Sequence, residues 1–572
     1  MLKKLLVMIN ELVLKLISSL KRFPQALTLA LAMVVVLIII NHTTPTGDTL
    51  EHIAMVLALG VPLTLCIKMI FERVAVKRLA ACGIYIVAAF ALIGYYNFLL
   101  PDMGMVSISR YIGFTVALYL LFIAVPFVGR KEGFALYVIK LFTGFIVTYF
   151  YSLILYAGLS AILFTINTLF SADIPSKVYF DLWLIVAGVF APAYFFAGIP
   201  SYGADFSLED YPNFLRVLLL YIVMPLLSVY TGILYAYFIK ILVTRNWPIG
   251  MVSNLVLWYS FVSTGVVFFI YILKEKETWA RVFASYLPKL ILPLLIMMFV
   301  AMGIRINAYG VTENRYLVLT GGIWTTGCML YFAAKKNPTK IAIVLSAAII
   351  AALVVTGPWS CYSVSKYSQN ARFEKILTRN NMLINGKIVP NQGISTADKV
   401  TISSVVQYFQ TDHHLKELKY LPQDFGVNQM QDTFGFGMTF SDENLSFSHN
   451  LQEAGELQDI RGYDYYLPTQ IPGRTLVNQG TLGVSYDNAS RALKISKDGQ
   501  VIYQKDVSEA AYTIHKAHTG ENILTNKDMT FVDENEKVKI MLLFRNINGT
   551  ESGGNGRPGI EWLDFSLFIT LK

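Results

Sequence analysis

From Pro24 to Gly357 the chain is a succession of apolar runs, most of them near or beyond the roughly 20 residues that a helix needs to cross a bilayer. Candidate spans fall at 24–40, 53–71, 79–100, 111–128, 134–170, 179–199, 214–243, 250–273, 288–304, 316–334 and 340–357. As one helix the run 134–170 would be about 55 Å long, so it reads either as a tilted span with a projecting end or as two short spans. Ahead of these runs, MLKKLLVMINELVLKLISSLKR sets Lys4, Glu11, Lys15, Ser18 and Arg22 along one helical stripe, with leucine and isoleucine over most of the rest. That is the pattern of an amphipathic helix lying on a membrane surface. After Ile40 the chain reads NHTTPTGDT instead of a small-residue cleavage site, so the start is expected to be retained.

Beyond Gly357 the long apolar runs stop. SKYSQNARFEKILTRNNML reads as a helix leaving the membrane, and INGKIVP follows with an Asn-Gly turn. Ser395 and Asp398 have the spacing of a helix start, opening a helix over 396–419 with Val400, Val405, Val406 and Phe409 on its apolar side. From about Asp432 the period moves toward two. ALKISKDGQVIYQKDV is two alternating strands joined through Asp498-Gly499, a strong hairpin signal, and VKIMLLFRN and IEWLDFSLFITLK read as more buried strands. The pattern predicts an α-helical polytopic membrane bundle of about 11 transmembrane helices, followed by a soluble α+β domain with helices first and a mostly antiparallel sheet after them. The boundaries read as an amphipathic helix over 1–22, a membrane region over 23–358 and the α+β domain over 359–572.

Composition agrees with this division. Of the 572 residues 55% are hydrophobic and only 15% charged, outside the range of soluble domains. Before Trp359 there are 26 Lys+Arg against 14 Asp+Glu, and from there on 21 against 24, so the basic excess belongs to the membrane part. No Lys/Arg tract suggests nucleic-acid binding, and an excess of this kind marks cytoplasmic connectors and anionic lipid head groups. With eleven spans, the basic connectors around residues 3–22, 73–78, 130–131, 274–281 and 335–340 all fall on one side. The N-terminus is then cytoplasmic and the C-terminal domain extracytoplasmic. Two exceptions follow: the acidic connector 201–212 comes out inside, and Lys240, Arg245, Arg305 and Arg315 come out near the outer surface.

Those four cations have two readings. They could gather into an outward-facing site for a phosphate or carboxylate head group. Alternatively, each snorkels to its own lipids or binds the last carbonyls of a helix. The spans hold essentially no Asp or Glu, which weakens an ion-coupled transporter. No GxxxxGK[ST], HExxH or GxSxG is present, so no catalytic residue, cofactor or metal is assigned. The four cysteines offer no disulfide framework and no CxxC pair. His515 and His518 invite a metal reading, with His413, His414 and His449 as further ligands; their spacing of three suits one face of a helix, whereas AAYTIHKAH has mixed strand character, where positions three apart point to opposite faces. The acidic stretch 443–459 reads as a solvated surface, and Gly435 and Gly437 lack the flanks of a phosphate loop.

Several stretches carry a resemblance: Arg22-Phe23-Pro24 opening the first span, RNWPIGMVSNLVLWYS after the seventh, YGVTENRYLVL between the ninth and tenth, and SQNARFEKIL with NGKIVP beyond the last. Together they resemble a large bacterial family of multi-pass membrane proteins of unknown function (the DUF-4153 type), over roughly two thirds of the chain. The resemblance implies a bacterial envelope protein and a shared feature at Tyr309, Gly310, Thr312, Asn314, Arg315 and Tyr316, part of which is turn chemistry: Gly310 can take a positive φ, and Thr312 or Asn314 can cap the next helix. It transfers no reaction. Three functions remain open. The first is a non-enzymatic envelope protein whose extracytoplasmic domain binds a partner protein or polymer, with membrane lipids around the bundle. The others are a transporter or permease for an anionic or lipid-linked substrate, and a membrane enzyme acting on a lipid-linked phosphate.

Overall fold

The structure, a computed structural model, describes residues 2–43, 48–130, 132–245, 251–335, 338–439, 446–452, 460–468, 475–487, 490–518, 521, 523–550 and 559–572. The chain forms two compact units, residues 1–379 with 407–425, and 380–406 with 426–572.

The first unit is helical. An N-terminal helix α1 (Leu2–Arg22) stops where Pro24, which has no N–H to donate, opens α2 (Pro24–His42). There follow α3 (Asp48–Arg73), α4 (Arg78–Leu99), α5 (Met105–Ala124) and α6 (Phe134–Phe170), the last a single helix of 37 residues, not two short ones. Next come α7 (Ser176–Ile185) with α8 (Ala191–Ala197), and α9 (Asn213–Val217) with α10 (Met224–Thr244). Each pair is joined by a π turn, Val186–Phe190 and Leu218–Val223, ending two residues before Pro192 and Pro225. A proline cannot donate to the carbonyl four residues back and its ring crowds that carbonyl, so the helix widens there instead of breaking. The unit continues with α11 (Met251–Ile270), α12 (Thr278–Tyr309), α13 (Glu313–Ala334), α14 (Ile341–Val354) and α15 (Cys361–Arg379). Among the described residues ten helical stretches are long and apolar enough to cross a membrane, and α14 is a shorter apolar helix. The chain is a multi-pass membrane protein.

Side-chain contacts sort the connectors into two ends. At the first end, Arg22 forms a bidentate ion pair with Glu72 (both bonds 2.8 Å) and donates to the carbonyls of Ile199 and Pro200. Arg130 lies over the Tyr202 ring, and one pocket is lined jointly by residues 130, 132–136, 206, 208, 271, 272, 274, 275 and 338–341. The acidic connector 201–212 is therefore at the same end as the basic ones. At the second end, Asn41 and His42 bond Asp181, Ser109 bonds Tyr362 at 2.7 Å, and Tyr316 donates to the Trp359 carbonyl at 2.6 Å. Although α14 has only 14 residues, it and its flanks run antiparallel to α13 along the whole of it. Tyr331 accepts from the Thr339 amide, Trp324 donates to Ser346 at 3.1 Å, and Tyr316 reaches Trp359. The core between the ends includes Phe23, Leu65, Phe127, Tyr137, Met224, Ile291 and Met298.

The second unit is mixed α/β. Asn385 and Gly386, both at positive φ, turn the hairpin of β1 (Leu383–Ile384) and β2 (Lys387–Ile388). Ser395 Oγ accepts from the Asp398 amide at 3.2 Å and opens α16 (Thr396–Asp412), which ends well before residue 419 and passes into a short 3-10 turn at Leu415–Glu417. After α17 (Met430–Phe434) come β3 (Ser446–Leu451), β4 (Tyr465–Pro468), β5 (Thr475–Gln479), β6 (Leu482–Asp487), β7 (Ala492–Lys497), β8 (Gln500–Asp506), α18 (Ser508–Ala517), β9 (Ile523–Leu524), β10 (Thr530–Glu534), β11 (Val538–Thr550) and β12 (Gly559–Leu571). One sheet has the order β4-β12-β11-β3-β9 with β10 also on β11, and the other is the meander β5-β6-β7-β8. The β7–β8 hairpin turns at Asp498-Gly499, both at positive φ, as the sequence predicts. Leu493 and Ile495 of one sheet, Ala511 and Ile514 of α18, and Phe544 and Leu567 of the other share one core. Of the acidic stretch 443–459, residues 446–452 are described and mostly form β3; the others lie outside the described residues.

Candidate functional site

Two adjoining side-chain clusters at the second end of the bundle share the start of α13. The first is built on the terminus of α12. Gly310 ends that helix at φ +72, and a Cβ there would meet Gln369 Nε2 at 2.9 Å, so only glycine fits the turn. The carbonyls left over at the helix end are taken up by side chains. Tyr309 O accepts from Arg315 Nη1 (3.1 Å), Gln369 Nε2 (3.1 Å) and Arg372 Nη1 (3.4 Å); Gly310 O accepts from Arg315 (2.6 Å); Val311 O accepts from Gln369 (2.9 Å). Ser368 Oγ accepts from the Val311 amide, and the Arg315 guanidinium lies 5.5 Å from the centre of the Tyr309 ring. The negative end of the helix dipole accounts for this gathering of donors.

Arg305, one turn back on α12, is close enough to Arg315 for their charges to interact, as is Arg372. Among the described residues none of the three arginines makes an ion pair with a carboxylate, and Arg305 Nε is buried without a hydrogen-bond partner. The structure thus brings together Arg305 and Arg315, adds Arg372, and leaves Lys240 and Arg245 exposed at the end of α10. Lys240 and Arg245 share no hydrogen bond, ion pair or ring contact with the trio among the described residues. Within the family-like motif, Tyr309, Gly310 and Arg315 form the turn and Tyr316 ties α13 to Trp359. Thr312 occupies the N-cap position without a side-chain cap bond, and Asn314 is exposed.

The second cluster centres on Glu313, only 2% exposed. Its Oε1 accepts from the Tyr408 hydroxyl at 2.7 Å and lies 2.8 Å from His413 Nε2, while Tyr408 and His413 are 2.9 Å apart. Glu417 stands 3.8 Å from His413 Nδ1 and pairs with Lys366 at 2.7 Å. Burial opposes ionisation of Glu417, yet the Lys366 ammonium holds its carboxyl below the usual value. Burial, and then the charge of Glu313, pushes the neighbouring Asp412 carboxyl up. Burial also pushes the Tyr408 phenol well up, and its bond to Glu313 adds to this. The hub is thus a closed triangle of contacts among a phenol, an imidazole and a carboxylate. His413 also lines a surface hollow of about 700 Å³ with His414, Lys416 and Asp424.

Sequence reasoning missed Glu313, Tyr408 and Arg372. Glu313 stands inside YGVTENRY, and Arg372 inside the family-like SQNARFEKIL, so a signal existed for both; Tyr408 has none. The histidine grouping is corrected. His413 belongs to the Glu313 hub, whereas His449 and His515 form a buried pair at 2.9 Å in the second unit, with Phe447 stacked 3.6 Å from the His515 ring. His515 sits on the helix α18, not in strand-like backbone. His449 donates through Nδ1 to the Glu521 carbonyl, and burial, offset in part by that bond, holds its imidazole below the usual value. Among the described residues no group of three or more potential ligands stands ready for a metal ion.

Comparison with known proteins extends this description. The uncharacterized protein PM1469 of Pasteurella multocida (strain Pm70) is 27% identical over 227 residues, covering 39% of this chain and 37% of that protein. The match thus spans little more than a third of that relative's length. No solved structure matches the chain. The family described as Domain of unknown function (DUF4153) matches residues 26–383, which takes in nearly all of the helical bundle together with the Gly310 turn, Glu313 and the three arginines. The chain belongs to that family.

Proposed function

We propose that this protein is an anion-binding protein of the bacterial cell envelope, whose membrane bundle presents its second end, and residues 380–572 after it, on the extracytoplasmic side. The observation that carries this reading is the Arg305–Arg315–Arg372 cluster. Arg315 lies close enough to Arg305 and to Arg372 for their charges to interact, none of the three has a carboxylate partner among the described residues, and Arg305 Nε is buried without an acceptor. Carbonyl oxygens carry only partial charge, so a phosphate or carboxylate head group is the acceptor this set lacks. The sidedness rests on the basic connectors at the first end, which retention in the cytoplasm explains. In the second unit, the edge-strand residues Tyr466 and Ile523, and Trp562 on β12, are exposed apolar groups suited to an envelope protein or polymer.

A second reading, a membrane enzyme acting on a lipid-linked phosphate, is favoured by His413, which touches both the Glu313 carboxylate and a surface hollow. The test is identification by mass spectrometry of lipids and small anions that co-purify with the full-length protein. The binding reading expects one phosphate- or carboxylate-bearing species, recovered intact, and about tenfold less of it with Arg305→Ala at equal membrane abundance. Equal recovery from wild type and from both Arg305→Ala and Arg372→Ala would sink the anion site. Conversion of the species by the purified protein would replace the binding reading with the enzymatic one.

A further inference from the structure

At the first end of the bundle lies a pocket of about 440 Å³, walled by the connectors that follow α5, α8, α11 and α13. Arg130, Lys274 and Lys340 line it, against Glu132 and Glu275. The two lysine ammonium groups converge on one ring, Lys274 at 4.0 Å and Lys340 at 5.3 Å from the centre of Tyr271. Like charges this close repel, and an anion bound beside them, in addition to the carboxylates of Glu132 and Glu275, lowers that cost. Among the described residues, neither Arg130 nor Lys340 makes an ion pair with a carboxylate; Arg130 instead lies over Phe127 and Tyr202. A second cavity of about 280 Å³ begins two residues further along α6, at Val138, and reaches Phe269 near the end of α11. It is almost wholly apolar, with Leu141, Phe142, Phe145 and Phe269 among its walls. Cations at a connector surface, with an apolar cavity further along α6 and beside the end of α11, match a head group and its chains.

We propose that this pocket binds a phosphate group between Arg130, Lys274 and Lys340, carried by an anionic lipid whose chains enter the apolar cavity along α6 and α11. The site lies at the opposite end from Arg305 and stands independently of it. A phosphodiester stays ionised over the whole working range of pH, so the protein side alone titrates. Burial, with the charge of Lys274 second, pushes the Lys340 amine down to about 8, and Arg130, Glu132 and Glu275 are the other charged groups facing the pocket. Lys340 is therefore cationic below that pH and neutral above it, so lipid retention weakens as pH rises from 8 toward 10.

The experiment is native mass spectrometry of the full-length protein titrated with phosphatidylglycerol, with phosphatidylcholine, and with inorganic phosphate alone. We expect preferential binding of phosphatidylglycerol, about tenfold weaker in the Arg130→Ala/Lys340→Ala double variant. Lys340→Arg should keep the lipid and lose the decline above pH 8, which a purely structural role for Lys340 would not produce. Inorganic phosphate displacing the lipid at millimolar concentration supports the site and names the soluble anion as its occupant. Undiminished phosphatidylglycerol binding by a double variant that elutes like wild type overturns the proposal, and so does equal binding of phosphatidylcholine.

Discussion

At the scale of single residues, the second end of the bundle turns on Glu313. A carboxylate this deeply buried is tolerated because Tyr408 and His413 both reach it, and removing one member of such a pair strands the other charge. Glu313→Ala should therefore cost about 3 kcal/mol, read as a fall in the thermal unfolding midpoint of the purified protein. His413→Ala should cost a similar amount, and the double variant should cost clearly less than the two together, because the residues act as one unit. Additive losses would separate the two residues. Of this hub the sequence displayed Glu313 within a family-like stretch and His413 beside His414, but not their pairing. They lie 100 positions apart, and no local periodicity records such a contact. Arg305 and Arg315 were legible as cations out of place; that Lys240 and Arg245 would stay apart from them was not. Parity of crossings assigns a side of the membrane and says nothing about position around the bundle.

At the scale of elements, the helices were legible because each repeats one message over some 20 residues, and the β7–β8 hairpin because Asp498-Gly499 imposes its turn. What local pattern did not carry was the consequence of a proline inside an apolar run. The π turn before Pro192 puts Gly188 against Val34 of α2, leaving no space for even a methyl group. Gly188→Ala should destabilise the bundle by about 1–3 kcal/mol through overpacking, lowering the unfolding midpoint. An unchanged midpoint would mean that α2 and the π turn can part without loss. α18 erred in the other direction: Tyr512, Thr513 and Ile514 suggest a strand, yet Val507, Ala510, Ala511 and Ile514 are all buried, and that spacing is helical. The helical signal was present and was outweighed by three residues with strand preference.

At the scale of the whole molecule, the parity of crossings turns on whether α14 is counted with the ten longer helices. The helix is too short to be recognised by length, yet it and its flanks accompany α13 from Thr339 to Trp359. With the first end in the cytoplasm, a reporter fused after Lys572 should be active only outside the cytoplasm, and activity confined to the cytoplasm would reverse the orientation. The return of residues 407–425 to the helical unit, far downstream of the last apolar helix, bears on how the protein is made. At about 5–20 residues per second, roughly 5–20 s separate synthesis of Glu313 from that of His413. Throughout that interval Glu313 is without the two side chains that reach it in the finished bundle. A chain that stops before Tyr408 leaves that end of the bundle unclosed for good.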